Sequence, residues 1–252
     1  MIDSSDIFGF QLNVGSTSEA IDSLQTLINS KESTGIAFMN SHMIYEALHD
    51  PSLYEGLRKF RFVFPDGVPL MRAVNIIQGN STDRIAGNDM IFSLLLLARL
   101  KKWKVTFYGS SPMMLDKIKF KLNNEYDGVS AQLLSPPFRV LDEPEIESYI
   151  QQINEFNPDM VFVGLGCPKQ ENWIASHIDK INAPMFGLGG AFAFFAGVDS
   201  RAPLWMRNLS LEWVYRLALE PGRLWKRYLV TNSYFIFLFL REFWRVRIIK
   251  KT

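Results

Sequence analysis

The chain has a single cysteine, Cys167, so it holds neither an intramolecular disulfide framework nor a cysteine-cluster metal site. It has only three histidines, His42, His49 and His177, with no H-x-x-x-H spacing and no cysteine partner, which sets aside a histidine metal site. No D-x-D occurs, the pairing that often holds a divalent ion against a diphosphate. The absence of G-x-G-x-x-G after the first strand and of G-x-x-x-x-G-K-[ST] argues against a dinucleotide fold and a P-loop NTPase. No serine sits in a G-x-S-x-G elbow, which leaves a hydrolase triad unsupported. Long apolar runs are missing too. The longest candidate, Tyr228–Leu240, is interrupted by Thr231-Asn232-Ser233 and falls short of the roughly 20 residues that span a bilayer. The first eight residues lack a basic stretch followed by an apolar one, so no secretory signal is expected.

What is present describes a folded body with an unusual tail. Hydrophobic content of 48% and charged content of 21% over 252 residues fit one medium α/β domain, or such a domain with an appendage. The 27 Lys and Arg nearly balance the 26 Asp and Glu, which argues against a generic nucleic-acid binder. The balance is not uniform. Residues 201–252 carry 11 basic and 3 acidic side chains, a net of +8, against 16 and 23, a net of −7, over residues 1–200. A basic tail on an acidic body points to an anionic partner for the tail.

Short apolar runs alternate with amphipathic segments. Helices are predicted over Thr17–Ser30, from Ser41, over Val68–Ile77 and Met90–Leu100, from Pro112 to about Asn124, and over Glu143–Phe156 and Gln170–Ile181. Strands are predicted at Gly35–Met39, Phe60–Phe64, Lys104–Tyr108, Val129–Leu134, Met160–Val163 and Pro184–Leu188. That rhythm gives βαβ units and a mostly parallel sheet, whose ligands gather beyond the carboxyl ends of the strands. The polar and glycine-bearing loops after these strands are therefore expected on one rim.

Each loop has a plain reading beside a chemical one. Gly109-Ser110-Ser111-Pro112 opens a helix and either receives a phosphate on free backbone N–H groups or is an ordinary turn. In Gly164-Leu165-Gly166-Cys167-Pro168-Lys169-Gln170-Glu171, Lys169 can meet a phosphate and the Gln170 amide can read a base or sugar hydroxyl, while Glu171 suits the first turn of a helix. Asp66, in the turn after a buried strand, is the carboxylate best placed for catalysis, though an Asp-Gly pair is also a turn signal. Asp89 reads as a helix cap.

The tail divides at Glu220-Pro221-Gly222-Arg223 into Leu204–Leu219 and Leu224–Lys251. In the second piece Trp225 and Trp244 alternate with Lys226, Arg227, Arg241 and Arg245, the mixture of a helix lying among lipid headgroups. The alternative is that its apolar face packs on the body or on another subunit.

Taken together, Asp66-Gly67, Arg84-x-x-Gly87-x-Asp89, Gly164-x-Gly166-x-Pro168-x-Gln170-Glu171, Gly189-Gly190-x-Phe192, Arg201-Ala202-Pro203, Leu211-Glu212-Trp213-x-x-Arg216 and Glu220-Pro221-x-Arg223 occur in order. This set resembles the WecG/TagA/CpsF glycosyltransferases, the inverting family 26, from about residue 35 to 228. The resemblance implies a Rossmann-like, mostly parallel sheet flanked by helices over residues 1–200 and a helical, membrane-docking appendage over 201–252. It further implies a metal-independent hexosyltransferase, with no cofactor, acting in bacterial surface-polysaccharide assembly. A sugar of ManNAc, glucose or uronic-acid type would pass from a UDP-sugar to a polyprenyl-diphosphate-linked saccharide at the cytoplasmic face of the plasma membrane. Asp66 would be the base, and Arg84, Arg216 and Arg223 would offset charge on the departing nucleotide. Asn40, Gly109, Gly164, Gly166, Gln170 and Gly189 would hold substrate, and Trp225, Lys226, Arg227, Arg241, Trp244 and Arg245 would meet the membrane. Nucleic acid is not an expected partner, and self-association into a homo-oligomer is left open, as are a soluble acceptor and a non-catalytic scaffold of the same fold. Phe38, where many members have threonine, and Ala193, where many have an acidic residue, depart from the family pattern near the pocket.

Overall fold

The computed structural model describes residues 2–79, 81–200, 202–203, 205–206 and 211–249, apart from the side chains of 223, 248 and 249. Arg201, residues 204 and 207–210 of the run beginning at Leu204, and the side chain of Arg223 therefore lie outside the described residues.

The chain opens on a hairpin, β1 (Asp3–Ile7) and β2 (Phe10–Val14), paired antiparallel. Its turn places both Phe8 and Gly9 at positive φ, 55° and 83°, as a two-residue hairpin turn requires. Next come α1 (Thr17–Ser30), β3 (Gly35–Met39), α2 (Ser41–His49), α3 (Pro51–Arg58), β4 (Phe62–Pro65), α4 (Val68–Gln78) and α5 (Gly87–Lys101). The chain then runs through β5 (Lys104–Gly109), α6 (Pro112–Glu125), β6 (Ser130–Leu134), α7 (Glu143–Phe156), β7 (Met160–Gly164), α8 (Lys169–His177), β8 (Met185–Gly187) and α9 (Gly189–Phe195). The tail supplies α10 (Glu212–Leu219) and α11 (Pro221–Ile249).

Local signals set the boundaries. Ser16 and Glu19 form a reciprocal capping box at the start of α1. Asp50 caps α3, and Pro51 at its first position divides the helical region after Ser41 into α2 and α3. Glu220 interrupts the tail between α10 and α11, with Pro221 beginning the second helix.

Six strands form one parallel sheet in the order β4-β3-β8-β7-β5-β6. Alternate side chains face opposite layers. Ile36, Phe38, Val105, Phe107, Phe162 and Phe186 pack with Leu24 of α1, Leu94 of α5 and Phe192 of α9. Ala37, Met39, Val63, Val161, Val163 and Met185 pack with Ile44, Leu57, Leu70 and Ile174 on the other side. Phe235 and Leu238 of α11 join that second layer, so the tail helix is seated on the body. After β4 the chain crosses to β5 on the far side of the sheet, and β7 and β8 later fill the gap. That reversal opens a crevice above the strand ends, the position at which doubly wound sheets bind ligands.

Candidate active site

The crevice is a cleft of about 1100 Å³. Asn40 enters it from the end of β3, Asp66 from β4, Ser110 and Ser111 from the loop after β5, and residues 164–167 from β7. Gly189 and Ala193 enter from α9, and Arg216, Arg227 and Thr231 close it from α10 and α11.

Asp66 is fixed by its backbone, whose N–H donates to the Met39 carbonyl at 2.7 Å, while Gly67 at φ 94° turns the chain into α4. Its carboxyl is raised to about 7, first by burial and then by the nearby charges of Glu212 and Asp89, against the opposing pull of Arg84 and Arg216. A carboxylate poised there can accept a proton near neutral pH.

Arg84 stands beside it and is already engaged. Its guanidinium donates to Asp89 at 3.0 Å and to Glu212 at 3.1 Å. Burial weakens its charge, but Asp66, Glu212 and Asp89 together more than restore it, so it remains a cation. The Glu212 contact joins the body to the first turn of α10 across 128 residues of sequence. Glu212 stands in the Leu211-Glu212-Trp213-x-x-Arg216 motif, but reasoning from sequence gives it no role in the site; its local signal is an acidic side chain in a helix's first turn. Arg216, one turn further along α10, lies with its guanidinium 5.3 Å from the centre of the Phe194 ring.

The glycine loops are shaped by close approach. At Gly109, φ is 107° and a Cβ would stand 2.7 Å from the Gly164 carbonyl oxygen. Gly109 itself does not line the cleft; Ser110 and Ser111 do. At Gly189 a Cβ would stand 2.5 Å from Gln170 Oε1. That oxygen accepts from the Gly189 and Gly166 N–H groups at 3.0 and 3.2 Å, and Gln170 Nε2 donates to Glu171 at 2.7 Å. The Gln170 amide thereby ties the β7 and β8 loops together as it faces the cleft. Glu171, which burial pushes upward, is held by Gln170 and Cys167 beneath the site. Asn40 uses its carbonyl oxygen to cap α2, accepting from His42 and Met43 N–H at 3.1 Å each, so its NH₂ group is what a ligand can meet. Phe38 is buried, its ring 5.9 Å from that of Phe64, and it lines the cleft together with Ala193.

On α11 the tail residues divide by face. Trp225, Lys226, Arg241, Trp244 and Arg245 are exposed, and Arg245 pairs with the buried Glu242. Arg227 departs from the sequence grouping. It falls on the stripe of Thr231, Phe235, Leu238 and Glu242 that faces the body, and it lines the cleft. Among the described residues no helix is long and apolar enough to cross a membrane, and no three His, Cys, Asp or Glu side chains converge as a metal site.

Comparison with known proteins gives the chain a family. The pattern of the glycosyl transferase WecG/TagA/CpsF family matches residues 5–248. An N-acetylglucosaminyldiphosphoundecaprenol N-acetyl-beta-D-mannosaminyltransferase of Bacillus subtilis strain 168 is 35% identical over 208 residues, 82% of this chain and 79% of that one. The protein of the same name from Bacillus spizizenii W23 is 32% identical over 83% of this chain and 80% of its own. That of Staphylococcus aureus NCTC 8325 is 26% identical over 93% and 90%.

Proposed function

Because the chain belongs to the WecG/TagA/CpsF glycosyltransferase family, we propose that it transfers a sugar from a UDP-sugar to a polyprenyl-diphosphate-linked saccharide, with inversion and without a metal ion. The relatives' names put an N-acetylmannosaminyl group first among donors and a GlcNAc-diphosphoprenyl lipid first among acceptors. The observation that carries the reading is Asp66: a carboxyl raised to about 7, at the end of a strand, beside Arg84 and Arg216.

Asp66 takes the proton as the acceptor hydroxyl attacks the anomeric carbon from the face opposite the nucleotide. For this the hydroxyl oxygen must sit about 2.6–3.2 Å from the carboxylate. Negative charge grows on the departing diphosphate, and the guanidinium groups of Arg216 and Arg223 offset it, with Arg84 setting the field at Asp66. Backbone N–H groups at the start of α6, beside Ser110 and Ser111, suit the nucleotide phosphates. The exposed Trp225, Trp244, Lys226 and Arg241 hold residues 201–252 against the cytoplasmic face of the membrane, each cation adding on the order of 1 kcal/mol at an anionic surface.

The test is a donor screen. UDP-ManNAc, UDP-glucose, UDP-glucuronate and UDP-GlcNAc are each supplied with a short polyprenyl-diphosphate GlcNAc, with and without EDTA. UDP release and lipid-linked product are followed together. Product from one donor, undiminished by EDTA, is the expected result. Silence from every donor would sink the transfer reading, and abolition by the chelator would sink its metal-free form.

A further inference from the structure

Arg227 is a cation of α11 at the cleft wall that the proposed chemistry has not used. Its Nε is buried without a hydrogen-bond partner, and among the described residues its guanidinium makes no ion pair. The residue as a whole is half-buried, with its guanidinium carbon 5.5 Å from the centre of the Tyr228 ring, and a cation kept without a counter-charge at the wall of a cleft fits an anionic ligand. The imidazole of His42, on the first turn of α2, lines the same end of the cleft with its Nδ1 also buried and unpartnered. Glu46 Oε1 stands 3.5 Å from that nitrogen, long for a hydrogen bond, so a carboxylate also borders this corner. Thr231 and Asn232, one turn along α11, add a hydroxyl and an amide to this corner.

The corner is electrostatically separate from the Asp66 group. Asp66 is acted on by Arg84, Glu212, Asp89 and Arg216, whereas His42 is acted on by Arg227 and Glu46, which with Glu171 also act on Cys167. The reaction proposed above brings two diphosphates to one cleft, one on the departing nucleotide and one on the lipid acceptor. Beside Arg227 the wall becomes apolar and open. Ile236 lines the cleft and is 57% exposed, and Leu229 and Trp225 continue an exposed apolar surface along the same helix. A prenyl chain leaving the cleft by that wall would place its diphosphate at Arg227.

We infer that Arg227, with His42, Thr231 and Asn232, forms a second anion station that binds the diphosphate of the lipid-linked acceptor. It rests on the transfer reading for the identity of the ligand and not for the existence of the site. Arg227 is here a substrate-positioning group and takes no part in the bond exchange.

The experiment compares wild type and Arg227→Gln by calorimetry, with farnesyl diphosphate and UDP as separate probes. Arg227→Gln is expected to weaken farnesyl diphosphate by about tenfold or more, the usual loss for one charge-assisted contact, and to leave UDP within about twofold. In turnover the acceptor KM rises by a similar factor, while kcat and the donor KM stay near wild type. Thermal melting accompanies each sample. Should the Gln variant melt early, Arg227→Met, which keeps the apolar stem, is read the same way. Weakened UDP with unchanged farnesyl diphosphate would reassign Arg227 to the nucleotide, and no change in either would remove the station. Weaker binding to anionic vesicles, with farnesyl diphosphate affinity intact, would make Arg227 a headgroup contact and overturn the inference. A wild type that binds farnesyl diphosphate through Arg227 yet transfers no sugar would fail the transfer reading alone.

Discussion

The two ends of the cleft use arginine in opposite ways. Arg84 is held between Asp89 and Glu212, so much of its charge is answered within the protein, and it ties the tail to the body while setting the field at Asp66. Arg227 lines the other end with no ion pair among the described residues and with a buried nitrogen unsatisfied. A paired cation fixes geometry and tunes a neighbour's proton affinity; an unpaired one recruits charge from outside. The contrast breaks most plainly at the acid it surrounds. Asp66→Asn removes the proposed base and is expected to cut kcat by about 10²–10⁴ with substrate affinities little altered, measured as lipid-linked product per minute. Turnover within a few-fold of wild type would take Asp66 out of the chemistry.

The same substitution has an opposite effect on stability, and the sign follows from the raised pKa. A carboxyl moved from its ordinary 3.8 to about 7 binds more protons folded than unfolded between those values, so wild-type stability declines as pH climbs through that window. Asparagine carries no such penalty. Asp66→Asn is therefore expected to melt higher than wild type at pH 8, by on the order of 2 kcal/mol, and the advantage should vanish near pH 4. Equal melting curves at both pH values would place Asp66 in a wetter, better-paired setting than the fold indicates.

The sequence made the frame of this site readable and hid its closure. Five-residue apolar runs such as Gly35–Met39 and Met160–Gly164 can be buried on both faces only in a covered parallel sheet, which places Asn40, Asp66 and the glycine loops on one rim. The opening hairpin escaped because Phe8-Gly9 is not one of the usual turn pairs, although Phe10, Leu12 and Val14 alternate inward as a strand should. The Arg84–Glu212 contact joins residues 128 apart, and no local pattern announces such a pair. The orientation of Arg227 was concealed for a different reason. Apolar and basic side chains surround α11 on all sides, so composition does not fix which stripe faces the body. Packing of Phe235 and Leu238 against the second layer fixes it, and Arg227 turns inward with them.

The exposed stripe left by that rotation supplies a smaller effect. Replacing Trp225 and Trp244 together by alanine removes two side chains that are 49% and 60% exposed, so folding should be nearly untouched. Binding to anionic vesicles is expected to fall by about tenfold, and the residual binding should weaken further with salt as Lys226 and Arg241 are screened. Unchanged flotation would direct the aromatic face to a protein partner instead of lipid.

The finest probe separates tuning from mere support at the paired end. Glu212 and Arg84 shift Asp66 in opposite directions, the first upward and the second downward. Glu212→Gln should therefore move the acid limb of kcat/KM to lower pH, and Arg84→Met should move it to higher pH, each by about half a unit to one unit. Both substitutions break the same bridge between α10 and the body, so a purely structural role would impair the two variants alike and leave both limbs where they were. Opposed displacements require that the bridge act on Asp66 through its charges.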